Sequence, residues 1–133
     1  MAVDQLQEIV PLHIATASET SNPFVVLPGP VTGDTFYTPY RVRIQFSDAL
    51  QASGSGVWTF NVQISYNKGG SWVTNVSGTA ITLSTTAQDG QQTLNVNPNL
   101  PTNCGQIWLW VLATLSGSPV SATIAYRADL QLP

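Results

Sequence analysis

The stretch from Val57 to Trp72 limits this chain more than any other. Trp58, Phe60, Val62, Ile64 and Tyr66 alternate with Thr59, Asn61, Gln63 and Ser65. That period of two places every large apolar side chain on one face of an extended strand. The run Asn67-Lys68-Gly69-Gly70 follows, and its residues tolerate positive φ, so the strand reverses into a hairpin. A shorter loop sets Trp72 opposite Ser65 and a longer one sets it opposite Tyr66; the register is not fixed by the residues themselves. A strand with one apolar face needs cover, and the rest of the chain has to supply it.

The rest of the chain reads in the same style. Further strands are expected at Leu12 to Ala15, Phe24 to Leu27, Tyr40 to Phe46, Val73 to Val76, Ala80 to Ser84, Thr93 to Val96, Gln106 to Leu115 and Val120 to Leu130. Turns are expected at Pro28-Gly29-Pro30, Asp89-Gly90, Asn97 to Pro101 and Ser116-Gly117-Ser118-Pro119, with a flexible loop at Ser53-Gly54-Ser55-Gly56. Pro11 would end any helical turn begun at Asp4, so residues 1–15 read as an extended N-terminal arm and residues 16–133 as one domain. Eight or nine short strands with no long helix make an all-β, antiparallel β-sandwich. Jelly-roll and immunoglobulin-like topologies both fit.

Composition narrows the function classes. Charged residues are only 8% of the 133, about a third of the usual share, and Ser, Thr, Asn and Gln fill the solvent positions. The four cations, Arg41, Arg43, Lys68 and Arg127, are too few and too scattered to neutralise a phosphate backbone or to hold an anionic membrane, so neither nucleic acid nor membrane is expected as a partner. A net charge of −3 gives copies little mutual repulsion, which suits a surface meant to be covered. Met1 to Val10 shows no secretory signal. Cys104, the single cysteine, is expected to be an inert thiol in a turn, since no neighbouring cation or histidine lowers its pKa.

Catalytic constellations are not legible. His13 is the only histidine and no Gly-x-Ser-x-Gly elbow occurs. One His and one Cys make no zinc site, and the acids sit singly, mostly in expected turns. The reading is a non-enzyme with no metal and no cofactor. His13 is expected to be a partly buried strand residue, with a pH sensor as the sharper alternative.

Gln106 to Leu115 is apolar on both faces: Trp108 and Trp110 share one, Ile107, Leu109 and Val111 the other. Three readings stay open. The tryptophans are core, or they anchor a protein interface, or they form a platform on which sugar rings stack.

Ile64 to Trp72 resembles a hairpin common in β-sandwich modules of phage virion proteins, and Ala113 to Arg127 looks like the closing hairpin of such modules. In outline the chain is similar to the small head decoration (cement) proteins of tailed bacteriophages. That resemblance implies a structural virion protein on the capsid exterior, assembled in the host cytoplasm. Its partner would be the major capsid protein, and it would form a homo-oligomer, taken as a trimer. The residues expected to dock are Val3, Leu6 and Ile9 of the arm, with Trp108, Trp110 and Leu112. A tail, fibre or connector module is one alternative. A carbohydrate-binding module that takes a glycan is another.

Overall fold

The computed structural model describes residues 5–27, 40–96 and 107–132. Ten strands account for the regular structure there: β1 Gln5–Ala15, β2 Glu19–Thr20, β3 Phe24–Leu27, β4 Tyr40–Leu50, β5 Ser53–Ser65, β6 Val73–Ser77, β7 Ile81–Thr82, β8 Gln88–Val96, β9 Ile107–Val120 and β10 Thr123–Leu132. Every pairing is antiparallel. One sheet runs β1-β10-β4-β8; in the other, β9 and β5 lie at the centre, β2 and β3 pair with β9, and β6 and β7 pair with β5.

The pairing is nested. Taking β2 with β3 and β6 with β7 as broken single strands, the first strand pairs the last, the second the one before it, and so inward to β5 and its return strand. A long hairpin rolled up in this way is a jelly-roll, so the topology that the sequence left open is settled. The core lies between the sheets. Trp58, Phe60, Val62 and Ile64 of β5 meet Ile107, Leu109, Val111 and Ala113 of β9 on one side, and Val42, Ile44, Leu94, Ile124, Tyr126 and Leu130 face them from the other. Each Val, Leu, Ile or Phe among them contributes about 1.5–3 kcal/mol on leaving water.

Two expected loops turn out to be paired strand. Ser53 to Gly56 opens β5, and Ser116 to Pro119 closes β9, opposite one another from Ser53↔Val120 to Gly56↔Gly117. The glycines serve close approach, not flexibility. Gly54 (φ +100°) and Gly117 (φ +84°) both lie in the left-handed region, and a Cβ on Gly117 would sit 1.9 Å from the Ser55 carbonyl oxygen. Asp89-Gly90, expected as a turn, likewise lies inside β8, where a Cβ on Gly90 would be 2.9 Å from the ring of Phe46. Cys104, the Pro28-Gly29-Pro30 turn and the Asn97 to Pro101 turn lie outside the described residues.

β1 pairs with β10 from Gln5↔Leu132 to Ala15↔Ile124 and forms an edge of the four-stranded sheet. Register shifts between Glu8 and Val10 and between Val10 and His13 accommodate Pro11, whose missing N–H is tolerable on an edge strand. The corner from β4 to β5 is held by Gln51, which is buried and fully used. Its Nε2 donates to the Gly54 and Leu83 carbonyls at 2.8 and 3.1 Å, and its Oε1 accepts from the Gly56 N–H at 2.8 Å.

Candidate binding face

The outward side of the six-stranded sheet is built mainly by β9 and β5. Alternation along β9 sends Ile107, Leu109, Val111 and Ala113 into the core and leaves Trp108, Trp110, Leu112 and Thr114 on the outside, partly buried. Of the three readings open for the tryptophans, the main core is therefore excluded. Their neighbours follow from register. Gln63 lies opposite Trp110, Asn61 opposite Leu112 and Thr59 opposite Thr114, while Val25 flanks Trp108 and Thr20 flanks Leu112.

The hairpin after β5 is longer than either expected form. Ile64 pairs with Val73, so Tyr66 to Trp72 form the loop with Ser65, the last residue of β5, at its base, and Trp72 lies opposite neither Ser65 nor Tyr66. The loop is tied by side chains. Ser65 Oγ accepts from the Gly69 N–H at 2.8 Å and donates to Asn67 Oδ1 at 2.9 Å, and Asn67 Oδ1 also accepts from the Ser71 N–H at 2.9 Å. Lys68 (φ 57°) and Gly69 (φ 85°) take the left-handed conformations that the Asn-Lys-Gly-Gly run promised.

This loop folds back over the outer face. Trp72 stacks on Trp110 with ring centroids 3.7 Å apart and planes 7° from parallel. Gly69 lies against Trp108, where a Cβ would sit 3.4 Å from the indole. Trp110 Nε1 donates to Gln63 Oε1 at 2.7 Å, and Gln63 Nε2 donates on to Thr74 Oγ1 at 3.2 Å. A small aromatic cluster with satisfied polar groups thus stands outside the main core, and the loop fixes its ring orientations.

The strands of this face are nearly free of charge, and Lys68 in the covering loop is exposed. The six strands of this sheet contain a single charged residue, Glu19, and its carboxylate bonds to Tyr126 of the opposite sheet. Trp108, Trp110 and Leu112, expected among the docking residues, share this outward face. The role of Trp72 in completing it was not readable, because the loop length sets its position. Of the other residues expected to dock, Val3 lies outside the described residues, and Leu6 is placed by backbone pairing with Gln131. Ile9 packs against the core. No group of three or more metal-ligating side chains occurs among the described residues.

No family model matches the chain, and no curated protein matches it. Solved structures with related architecture include the N-terminal cellulose-binding domain of Cellulomonas fimi β-1,4-glucanase C, at 15% identity over 89% of this chain and 71% of that one, with a TM-score of 0.41. A CBM4 structure is similar at 11% identity over 94% of this chain and 80% of that one, TM-score 0.43. A chain of infectious bursal disease virus, Gx strain, is similar at 8% identity over 98% of this chain and 31% of that one, TM-score 0.44. These neighbours are β-sandwich domains, as this chain is. Function has to be argued from the face itself.

Proposed function

We propose that this protein is a structural component of a virion, a decoration (cement) protein of the tailed-phage type. It would seat on the outer surface of a capsid and stabilise the shell by bridging major capsid subunits. The observation that carries this reading is the outer face of the six-stranded sheet, where Trp108, Trp110, Trp72, Leu112 and Val25 stand together on strands whose outward residues are uncharged. Aromatic anchors surrounded by neutral polar side chains are what a protein interface uses at its centre. A jelly-roll is also an architecture found in capsid domains, although a fold by itself assigns no role. Binding to the assembled shell would stabilise it by mass action, without catalysis and without a cofactor. Homo-oligomers, taken as trimers, belong to the same reading.

A second reading has its own support. Gln63, with Thr74 behind it, lies beside the Trp110 indole, Asn61, Thr59 and Thr114 continue the same strands, and amides and hydroxyls near aromatic rings also suit a neutral glycan. One experiment separates the two: co-sedimentation of the full chain with undecorated tailed-phage capsids and, in parallel, with insoluble cellulose. Retention on capsids alone supports the decoration reading, and retention on cellulose alone replaces it with the glycan reading. Deleting residues 1–10 is a poor test of docking, since it would remove much of β1 and the buried Val10.

A further inference from the structure

We propose that His13, Glu19 and Tyr126 form a proton-controlled latch across one seam of the sandwich, closed when the His13–Glu19 pair holds its extra proton and released when that proton is lost. The three residues come from three strands. His13 is on β1 and Tyr126 on β10, both in the four-stranded sheet, while Glu19 is on β2 of the other sheet. The pair is therefore a side-chain tie between the two sheets at an edge.

The hydrogen-bond geometry fixes the proton count. His13 Nδ1 lies 2.8 Å from the Pro11 carbonyl oxygen, and Nε2 meets Glu19 Oε1. A carbonyl can only accept, and so can an ionised carboxylate, so both ring nitrogens have to donate. Only the imidazolium does that. The Tyr126 hydroxyl donates to the same Glu19 oxygen, which thus collects two donors, as suits a carboxylate carrying its charge. Removing the proton would leave the ring one donor for two acceptors, so one of the bonds to Pro11 and Glu19 is lost, and the charge attraction to Glu19 goes with it.

The surroundings allow the exchange. The imidazole lies over the Tyr126 ring with centroids 4.7 Å apart, and a cavity of about 230 Å³ beside it is lined by Pro11, Thr20, Ser21 and Asn22 as well as the trio. Among the described residues, the trio supplies the only titratable groups lining this cavity. Burial pulls the His13 pKa down, but the bonds to Pro11 and Glu19 and the charge of Glu19 outweigh it, leaving a value above the ordinary 6.5. Burial, reinforced by the Glu19 bond and charge, also raises Tyr126, which stays a donor throughout. A raised folded value means that the contribution of the latch is fully present below pH 6.5 and is lost as pH climbs through that raised value.

Release would reach the binding face through a short path. Ser18 Oγ accepts from the Leu115 N–H at 2.8 Å and Ser21 Oγ from the Val111 N–H at 2.9 Å, so the segment that carries Glu19 is sewn to β9. The test uses the full chain, its single histidine giving one imidazole signal. An NMR titration of the His13 ring should give a pKa above 6.5 in the wild type and a lower one in Glu19→Gln. Amide exchange of Ala15, Glu19 and Thr20, corrected for intrinsic rates, should rise on the order of two- to fivefold through that pKa, as loss of a part-exposed ion pair allows. The rise should be absent in His13→Gln. Tyr126→Phe, which removes only the hydroxyl, should leave the His13 pKa closer to the wild-type value than Glu19→Gln does. A wild-type His13 that titrates at or below 6.5, or an exchange step that persists in His13→Gln, would overturn the latch.

Discussion

The two sheets share one core yet divide the charge unequally. The strands of the four-stranded sheet carry Glu8, Arg41, Arg43, Asp48, Asp89, Arg127 and Asp129, whereas those of the six-stranded sheet carry Glu19 alone. On the charged sheet, Asp129 is nearly buried between Arg127 at 3.0 Å and Arg43 at 3.9 Å, and Arg127 reaches Glu8 at 3.6 Å. That face pairs its charges with one another, although among the described residues the Nε atoms of Arg43 and Arg127 and Asp129 Oδ2 lack a hydrogen-bond partner and Leu12 and Ile14 of β1 are exposed. The other sheet turns indoles, a leucine and neutral amides outward. The difference teaches that inward and outward residues must be judged sheet by sheet. Apolar residues on both faces of β9 mean one face for the fold and one for a partner.

The largest expected effect tests that division within β9. Leu109→Ala empties a site with no solvent exposure and should cost about 2–5 kcal/mol. Leu112→Ala, three positions on and facing out, should cost less than about 1 kcal/mol. Urea denaturation of the two variants reads this directly, and equal losses would break the assignment of faces.

Next comes the paired Gly-Ser segment. Gly117→Ala should destabilise by about 1–3 kcal/mol, because its φ of +84° and the Ser55 carbonyl both reject a Cβ. An unchanged melting temperature would show that β5 and β9 do not approach as closely there as described.

Asp129→Ala should follow, at about 1–2 kcal/mol. It leaves Arg43 and Arg127 short of a partner, and both are exposed enough for water to offset part of the loss. Its cost should shrink in high salt, whereas that of Leu109→Ala should not. Trp72→Ala should cost less than Asp129→Ala, about 0.5–1.5 kcal/mol for the stacked pair. It should also shift indole fluorescence to the red as Trp110 becomes wetter.

Much of this was legible beforehand. Period-two alternation gave the inward set of β5, Trp58, Phe60, Val62 and Ile64, because a half-buried strand writes its burial into its sequence. The sandwich followed from counting such strands. What was not legible has physical reasons. Ser53 to Gly56 and Ser116 to Pro119 have loop composition, yet each is the close-packing partner of the other, and a glycine chosen for approach looks the same as one chosen for freedom. The fate of Trp72 depended on a loop held by Ser65 and Asn67 side chains, a network that residue spacing does not announce. The outward set of β9 needed the opposite sheet to be known. His13 could be read as a partly buried strand residue, but not Glu19 as its partner from across the seam.

The central claim is that the uncharged face, not the charged one, takes the partner. Co-sedimentation with undecorated tailed-phage capsids should compare two folded variants, Leu112→Asp on the six-stranded sheet and Arg41→Glu on an exposed position of the other. The account predicts that Leu112→Asp stays in the supernatant while Arg41→Glu pellets with the shells as the wild type does. Loss of binding by Arg41→Glu with Leu112→Asp still bound would contradict it.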